Sequence, residues 1–174
     1  MDDTLTSIIG LAVAVILMFI FPLITMSDRT DDVSQLTVDI ATTEFVDDIR
    51  ESGKITPDRY SKYIESIGST GNTYNIELEV KILDENPKRK AIELNKTMET
   101  TDNVYYSVYN SQIENELNNG NDYYLKEGDI VTVSAKNTNQ TIAQQLKNFF
   151  YTVVGRDTYV IGSSHGGLVT ATGK

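Results

Sequence analysis

The pattern of apolar and polar positions divides this chain into an uncharged opening and a periodic remainder. No residue from Thr4 to Ser27 is charged, and the core of that stretch reads IIGLAVAVILMFIFPLITMS. As a helix it would extend roughly 36 Å, enough to cross a hydrocarbon core of about 30 Å. The helical pattern continues past Ser27. No Pro or Gly interrupts Asp28 to Ser52; Val33, Leu36 and Ile40 make one apolar stripe there, and Val38, Ala41, Phe45 and Ile49 make another. The spacing predicts one helix from about Thr4 to about Ser52, apolar first and amphipathic later. Arg50 suits its last turn and Gly53 its C-cap. Pro22 removes a backbone donor, which predicts a kink or local loosening near Met18.

Beyond Gly53 the period shifts repeatedly. Thr56 is an N-cap candidate before Pro57, and Tyr60, Tyr63, Ile64 and Ile67 then share a helical face up to Gly68. TYNIELEVKI alternates: Tyr74, Ile76, Leu78, Val80 and Ile82 point one way and polar residues the other, the mark of a half-buried strand. KAIELN predicts a second strand, and the stretch from Asn95 to Asn103 a loop. A short helix is expected with Tyr109, Ile113 and Leu117 in register, closed by Gly120. A turn at Lys126-Glu127-Gly128-Asp129 leads into a strand with Val131 and Val133 on one face. TIAQQLKNFFYTVVG predicts a helix with Ile142, Leu146, Phe149, Phe150 and Val153 on a common face. The end of the chain predicts two short strands around a Gly166-Gly167 turn.

The expected fold class is α+β: a long N-terminal transmembrane-plus-amphipathic helix, then a small, mostly antiparallel sheet of four or five strands packed with helices. The expected divisions are residues 1–27 as the transmembrane helix, 28–53 as its amphipathic continuation and 54–174 as an extracellular α+β domain.

Composition narrows the function. The chain has 174 residues, a net charge of −10 and no Cys. Its acidic balance argues against a nucleic-acid partner, which needs a clustered basic surface. The basic run Lys88-Arg89-Lys90 follows DENP and reads as a solvated turn. Without Cys there is no disulfide framework and no thiolate metal site. A cleaved secretion signal would show a basic flank and a small-x-small cleavage site. Here Met1-Asp2-Asp3 leads the apolar run and PLITMSD ends it, so a permanent span is expected. A short N-terminal tail before a large polar domain predicts a cytoplasmic N-terminus and an extracellular C-terminal domain. Charge adds little to that orientation, because Arg29 is the one basic residue close by.

Candidate chemistry is sparse. His165 is the sole histidine, and Ser163 and Ser164 precede it. Neighbours along one strand or turn rarely have the geometry of a nucleophile and its base. NNGND lacks the ligand spacing of a calcium loop. The pairs Asp31-Asp32 and Asp47-Asp48 are expected on an exposed helix face as solvating charge. The expectation is a non-enzymatic protein without cofactor or metal.

The layout resembles type IV pilins and pseudopilins, and most closely the TadE-like pilin-related proteins of Gram-positive bacteria. The resemblance is carried by residues 1–53, by the domain order, and by the strings FVDDIRESGKITPDRY and VSAKNTNQTIAQQLKNFFYTVVG. It implies apolar helices packed side by side in a filament core, with sheet domains displayed outside. The subunit-packing candidates are Asp2, Asp3, Gly10, Ala14 and Pro22: small residues allow close helix approach in lipid, and a late proline is a common pilin feature. Pilins usually carry a leader ending in Gly or Ala, and a Glu near the start of the apolar helix. Neither precedes Ile8 here, and Asp2 or Asp3 takes the place of that Glu. A retained Met1 would favour a membrane-resident minor subunit.

The implied partners are other pilin-like subunits, in homo- or hetero-oligomers, the assembly machinery and membrane lipid. The alternative is a single-pass, membrane-anchored extracellular binding module. An anchored hydrolase using His165 stands third. A stiff helical continuation from Asp28 to Gly53, where an anchor would have a flexible linker, favours the assembly subunit.

Overall fold

The computed structural model describes residues 2–84, 104–151 and 160–174. Its spine is helical from the N-terminus to Ser52: α1 (Asp2–Val15), a π-helical turn (Ile16–Ile20) and α2 (Phe21–Ser52). The π turn surrounds Met18 and ends just before Phe21-Pro22, where loosening is expected. Pro22 offers no N–H to the Met18 carbonyl and its ring crowds that oxygen, so a wider preceding turn relieves both problems. Gly53 ends α2 in the left-handed conformation (φ 67°), its N–H donating to the Ile49 carbonyl at 2.8 Å.

The remaining elements are β1 (Lys54–Ile55), α3 (Pro57–Gly68), β2 (Tyr74–Leu83), β3 (Tyr105–Tyr109), α4 (Asn110–Asn118), β4 (Tyr123–Tyr124), β5 (Ile130–Asn137), α5 (Ile142–Tyr151) and β6 (Gly162–Leu168). Among the described residues, four strands form an antiparallel sheet in the order β3-β2-β5-β6, and β1 pairs with β4 in a separate two-stranded ribbon. The expected α+β class, with a small antiparallel sheet carried on a long helix, is what the fold shows. The expected strand at KAIELN and the loop after it lie outside the described residues.

One face of the sheet is buried. Leu78 and Val80 of β2 and Val131, Val133 and Ala135 of β5 pack against Val38, Ala41, Phe45, Val46 and Ile49 of α2. Helices α3 and α4 complete the core with Tyr63, Ile67, Ile113 and Leu117. The other face carries polar positions such as Glu77, Glu79 and Thr132, and Glu79 accepts a bond from the Ser107 hydroxyl at 2.7 Å. Thr56 caps α3 as expected, accepting from the Arg59 N–H at 3.3 Å. The α2–α3 contact centres on Tyr63, whose ring stacks on Phe45 with centroids 4.6 Å apart and whose hydroxyl lies 3.1 Å from that of Thr42.

Three expectations need correction. The run YYSVY is a strand, so Tyr109 belongs to β3 and is exposed, while Ile113 and Leu117 alone bury from α4. Where β3 ends, the Asn110 side chain continues the ladder, accepting from the Leu78 N–H and donating to the Ile76 carbonyl. Gly166-Gly167 is no turn; both sit inside one continuous β6 paired with Val131 and Thr132. A side chain at Gly167 would meet the Arg50 guanidinium at 2.6 Å, and one at Gly166 would meet the Val131 carbonyl at 2.9 Å. Close approach to fixed backbone requires glycine at position 166, while at 167 the Arg50 side chain would have to move aside. Ile142 is exposed, whereas Ala143 and Gln144 are buried among the described side chains of α5; the expected face residues Phe149, Phe150 and Val153 lie outside them.

Three phenols couple this core to pH. Burial raises the pKa of Tyr60, reinforced by its bond to Glu114 Oε1 (2.8 Å), and burial also raises those of Tyr63 and Tyr123. The folded state therefore keeps protons that the unfolded chain releases above its ordinary value of 10.0. That stabilisation is complete below this value and is lost as pH rises through the higher folded values. Denaturant midpoints measured between about pH 8 and 11 should fall at the alkaline end, and Tyr60→Phe should flatten the fall.

Candidate functional site

The most unusual surface is on the long helix itself. From Asp3 to Ser52 it is long and apolar enough to cross a membrane, and its large apolar side chains from Leu5 to Met26 are mostly exposed. A water-soluble helix would hide such residues; these suit a lipid or protein surround.

The packing candidates lie along this segment. Asp3, Gly10 and Ala14 are exposed and spaced by seven and four residues, which places them on one face of α1. A side chain at Gly10 would meet no atom within 4 Å. The Asp3 carbonyl accepts from the Ser7 hydroxyl at 2.7 Å. Pro22 is also exposed, but it lies beyond the π turn. That turn shifts the register of all later positions relative to the Asp3-Gly10-Ala14 face. The side chain of Asp2 lies outside the described residues.

Above the span, the two apolar stripes of α2 meet different fates. The Val38-Ala41-Phe45-Ile49 stripe is buried under the sheet. The Val33-Leu36-Ile40 stripe is uncovered, with relative exposures of 64%, 59% and 49%. Val33 falls seven residues after Met26, so the stripe continues an exposed edge of the span past Arg29. Single exposed apolar residues are ordinary, but an aligned set continuous with a helix long and apolar enough to cross a membrane is not. Sequence periodicity finds both stripes and cannot say which one the domain covers.

The other candidates do not converge on a site. Ser163 and Ser164 precede His165 within β6. His165 instead points at Asp47, with Nε2 3.7 Å from Oδ1, and Asp47 also binds Arg50 at 2.7 Å. Asp48 reaches Arg59 at 3.3 Å. Together with Glu44, Glu51 and Lys62, the groups Asp47, Asp48 and Arg59 line an open groove of about 580 Å³ between α2 and α3. Asp32 is exposed as expected, but Asp31 is buried and its Oδ2 accepts from the Thr141 hydroxyl at 2.6 Å. Thr141 also caps α5, accepting from the Gln144 N–H at 3.2 Å, and the Gln144 side chain accepts in return from the Thr141 N–H. This reciprocal capping box brings a carboxylate to the positive end of a helix dipole. The contact joins residues 110 positions apart, so no local sequence signal marks it.

Comparison of the chain with protein-family models, with curated proteins and with solved structures returns no match.

Proposed function

We propose that this protein is a structural subunit, a minor pilin or pilin-like component of a type IV or Tad-like surface pilus or secretion assembly. Its N-terminal helix anchors it in the membrane and packs against the helices of neighbouring subunits, copies of this chain among them. The N-terminus lies in the cytoplasm and the sheet domain outside the cell. The observation that carries this reading is the uncovered Val33-Leu36-Ile40 stripe, which continues the exposed apolar edge of the span on a stiff helix. A passive anchor has no use for an apolar face above the membrane. Lipid would cover the span, but only another protein surface would cover a stripe that rises into water.

Within the assembly, Asp2 or Asp3 would register adjacent subunits by pairing with a neighbour's α-amino group, a contact that low dielectric strengthens. The small positions Gly10 and Ala14 share a helix face with Asp3 and would let a neighbour approach closely.

Leu36→Glu tests the reading. Leu36 is exposed, so the variant should fold and insert normally. It should vanish from the filament pellet of sheared cells and remain in the membrane fraction. Unchanged pelleting would reject the stripe as a packing surface. The second reading, an anchored extracellular binding module, would place its ligand in the groove between α2 and α3. It expects wild-type protein to stay with membranes after shearing.

A further inference from the structure

The three rungs that tie the sheet to α2 show how the domain stands on the helix. Arg50 Nε donates to the Leu168 carbonyl at the far end of β6. The Gln35 amide binds both the N–H (3.0 Å) and the carbonyl (2.8 Å) of Gly162 at its near end. The third rung is Thr141 on Asp31. Between Arg50 and Gln35 the helix rises roughly 22 Å, which matches the length of β6 at about 3.3 Å per residue. Strand β5 therefore descends towards the membrane, reaches the Gln35 level at its end, and delivers α5 at the Asp31 level, just above the last uncharged residues of the span.

Helix α5 packs on α2. The covered positions of the long helix continue downward from Asp31 through Asp28 and Ser27 to Ile24 and Ile20, all at least partly buried, while the other span positions are exposed. Those five positions share the helix face that carries Gln35 and Val38. At the top of α5, Ile142 is 70% exposed and borders a depression of about 270 Å³ together with Ser27 and Thr30. An isoleucine held open to its surroundings beside the end of a membrane span has an obvious apolar phase at hand.

We infer that α5 is a membrane-interface element: it descends beside the span from the Asp31–Thr141 clasp and seats Ile142 in the lipid headgroup–acyl boundary. The domain is thereby held to the bilayer at two places, the span and α5, which fixes its rotation about the long helix. The partner is the lipid surface. This inference rests on reading the N-terminal helix as a membrane span.

The chain has no Cys, so single cysteines can be placed cleanly. The full-length protein would be reconstituted in vesicles of phosphatidylcholine with a minor fraction of phosphatidylglycerol. Ile142→Cys, Leu17→Cys and Lys62→Cys would each carry an environment-sensitive fluorophore, and the lipids a nitroxide quencher near the headgroup or deep in the chain. The expected result is quenching at position 142 by the shallow quencher, comparable in extent with that at position 17 by the deep one, and none at position 62. Quenching at 17 without quenching at 142 overturns the inference and leaves the span standing. So does a blue-shifted but unquenched probe at 142, which would mean that protein covers it. Absence of quenching at 17 removes the span and the inference together.

Discussion

Gly53→Ala is expected to destabilise the folded domain by about 3 kcal/mol or more, a large part of a typical folding free energy of about 5–15 kcal/mol. Two costs coincide at this residue. Its φ of 67° is a conformation that a side chain resists, at about 1–2 kcal/mol. A side chain there would also sit 2.3 Å from both the Ala171 carbonyl and the Gly173 N–H. Those backbone groups cannot easily move, because the C-terminal tail is clamped. Thr170 donates to the Arg50 carbonyl at 2.9 Å, Gly173 to Leu125 at 3.0 Å, and Leu125 to Gly53 at 2.8 Å. Gly120 separates the two costs. It has φ 80°, but a methyl group added there would meet no atom within 4 Å, so Gly120→Ala should cost only about 1 kcal/mol. Thermal unfolding of the full chain in detergent micelles should show the Gly53 variant melting on the order of 10 °C lower, and the Gly120 variant only a few degrees lower. Equal shifts would show that the tail yields to the added methyl group.

Asp129→Ala should cost about 2–4 kcal/mol. This buried carboxylate accepts from the Lys126 N–H at 2.8 Å with one oxygen and from the Leu83 N–H at 3.0 Å with the other. It thus ties the turn before β5 to the last residue of β2. The backbone of the same turn holds the end of β6, where Gly128 donates to Val169 at 3.0 Å and Val169 to Asp129 at 2.8 Å. Alanine would remove the acceptor of both part-buried backbone donors, the Lys126 and Leu83 N–H groups, and untie the turn from β2. Asn keeps one acceptor oxygen, so Asp129→Asn should lie between wild type and Asp129→Ala. Urea midpoints at neutral pH order the three, and an Asn variant as weak as the Ala variant would contradict the two-acceptor account.

Much of this architecture is legible in the chain because it rests on local rules. The alternation of Tyr74, Ile76, Leu78, Val80 and Ile82 is the face of β2, Thr56-Pro57 starts α3, Gly53 ends α2, and Pro22 marks the loosened turn. The failures share a different cause. β3 runs into α4 with no turn residue between them, so Tyr109 falls into helical register with Ile113 and Leu117 and looks like part of the helix. Gly166-Gly167 has turn chemistry, but its glycines serve close packing beneath Arg50 and beside Thr132. Asp31 looks like surface charge until Thr141 arrives from the far side of the chain.

The candidate site was only half legible for the same reason. The apolar span and the small residues Gly10 and Ala14 can be read directly. The uncovered stripe cannot, because Val33-Leu36-Ile40 and Val38-Ala41-Phe45-Ile49 are both apolar and both helical in spacing. Only the position of the sheet separates the buried stripe from the exposed one.

The central claim is that this exposed stripe meets another copy of the same helix. Oxidative cross-linking in intact membranes tests it most directly, since the natural chain has no Cys to confuse the result. Val33→Cys and Ile40→Cys should each yield covalent dimers, while Lys62→Cys, exposed on α3, should stay monomeric. Monomers throughout, or dimers formed equally well through position 62, would contradict the account.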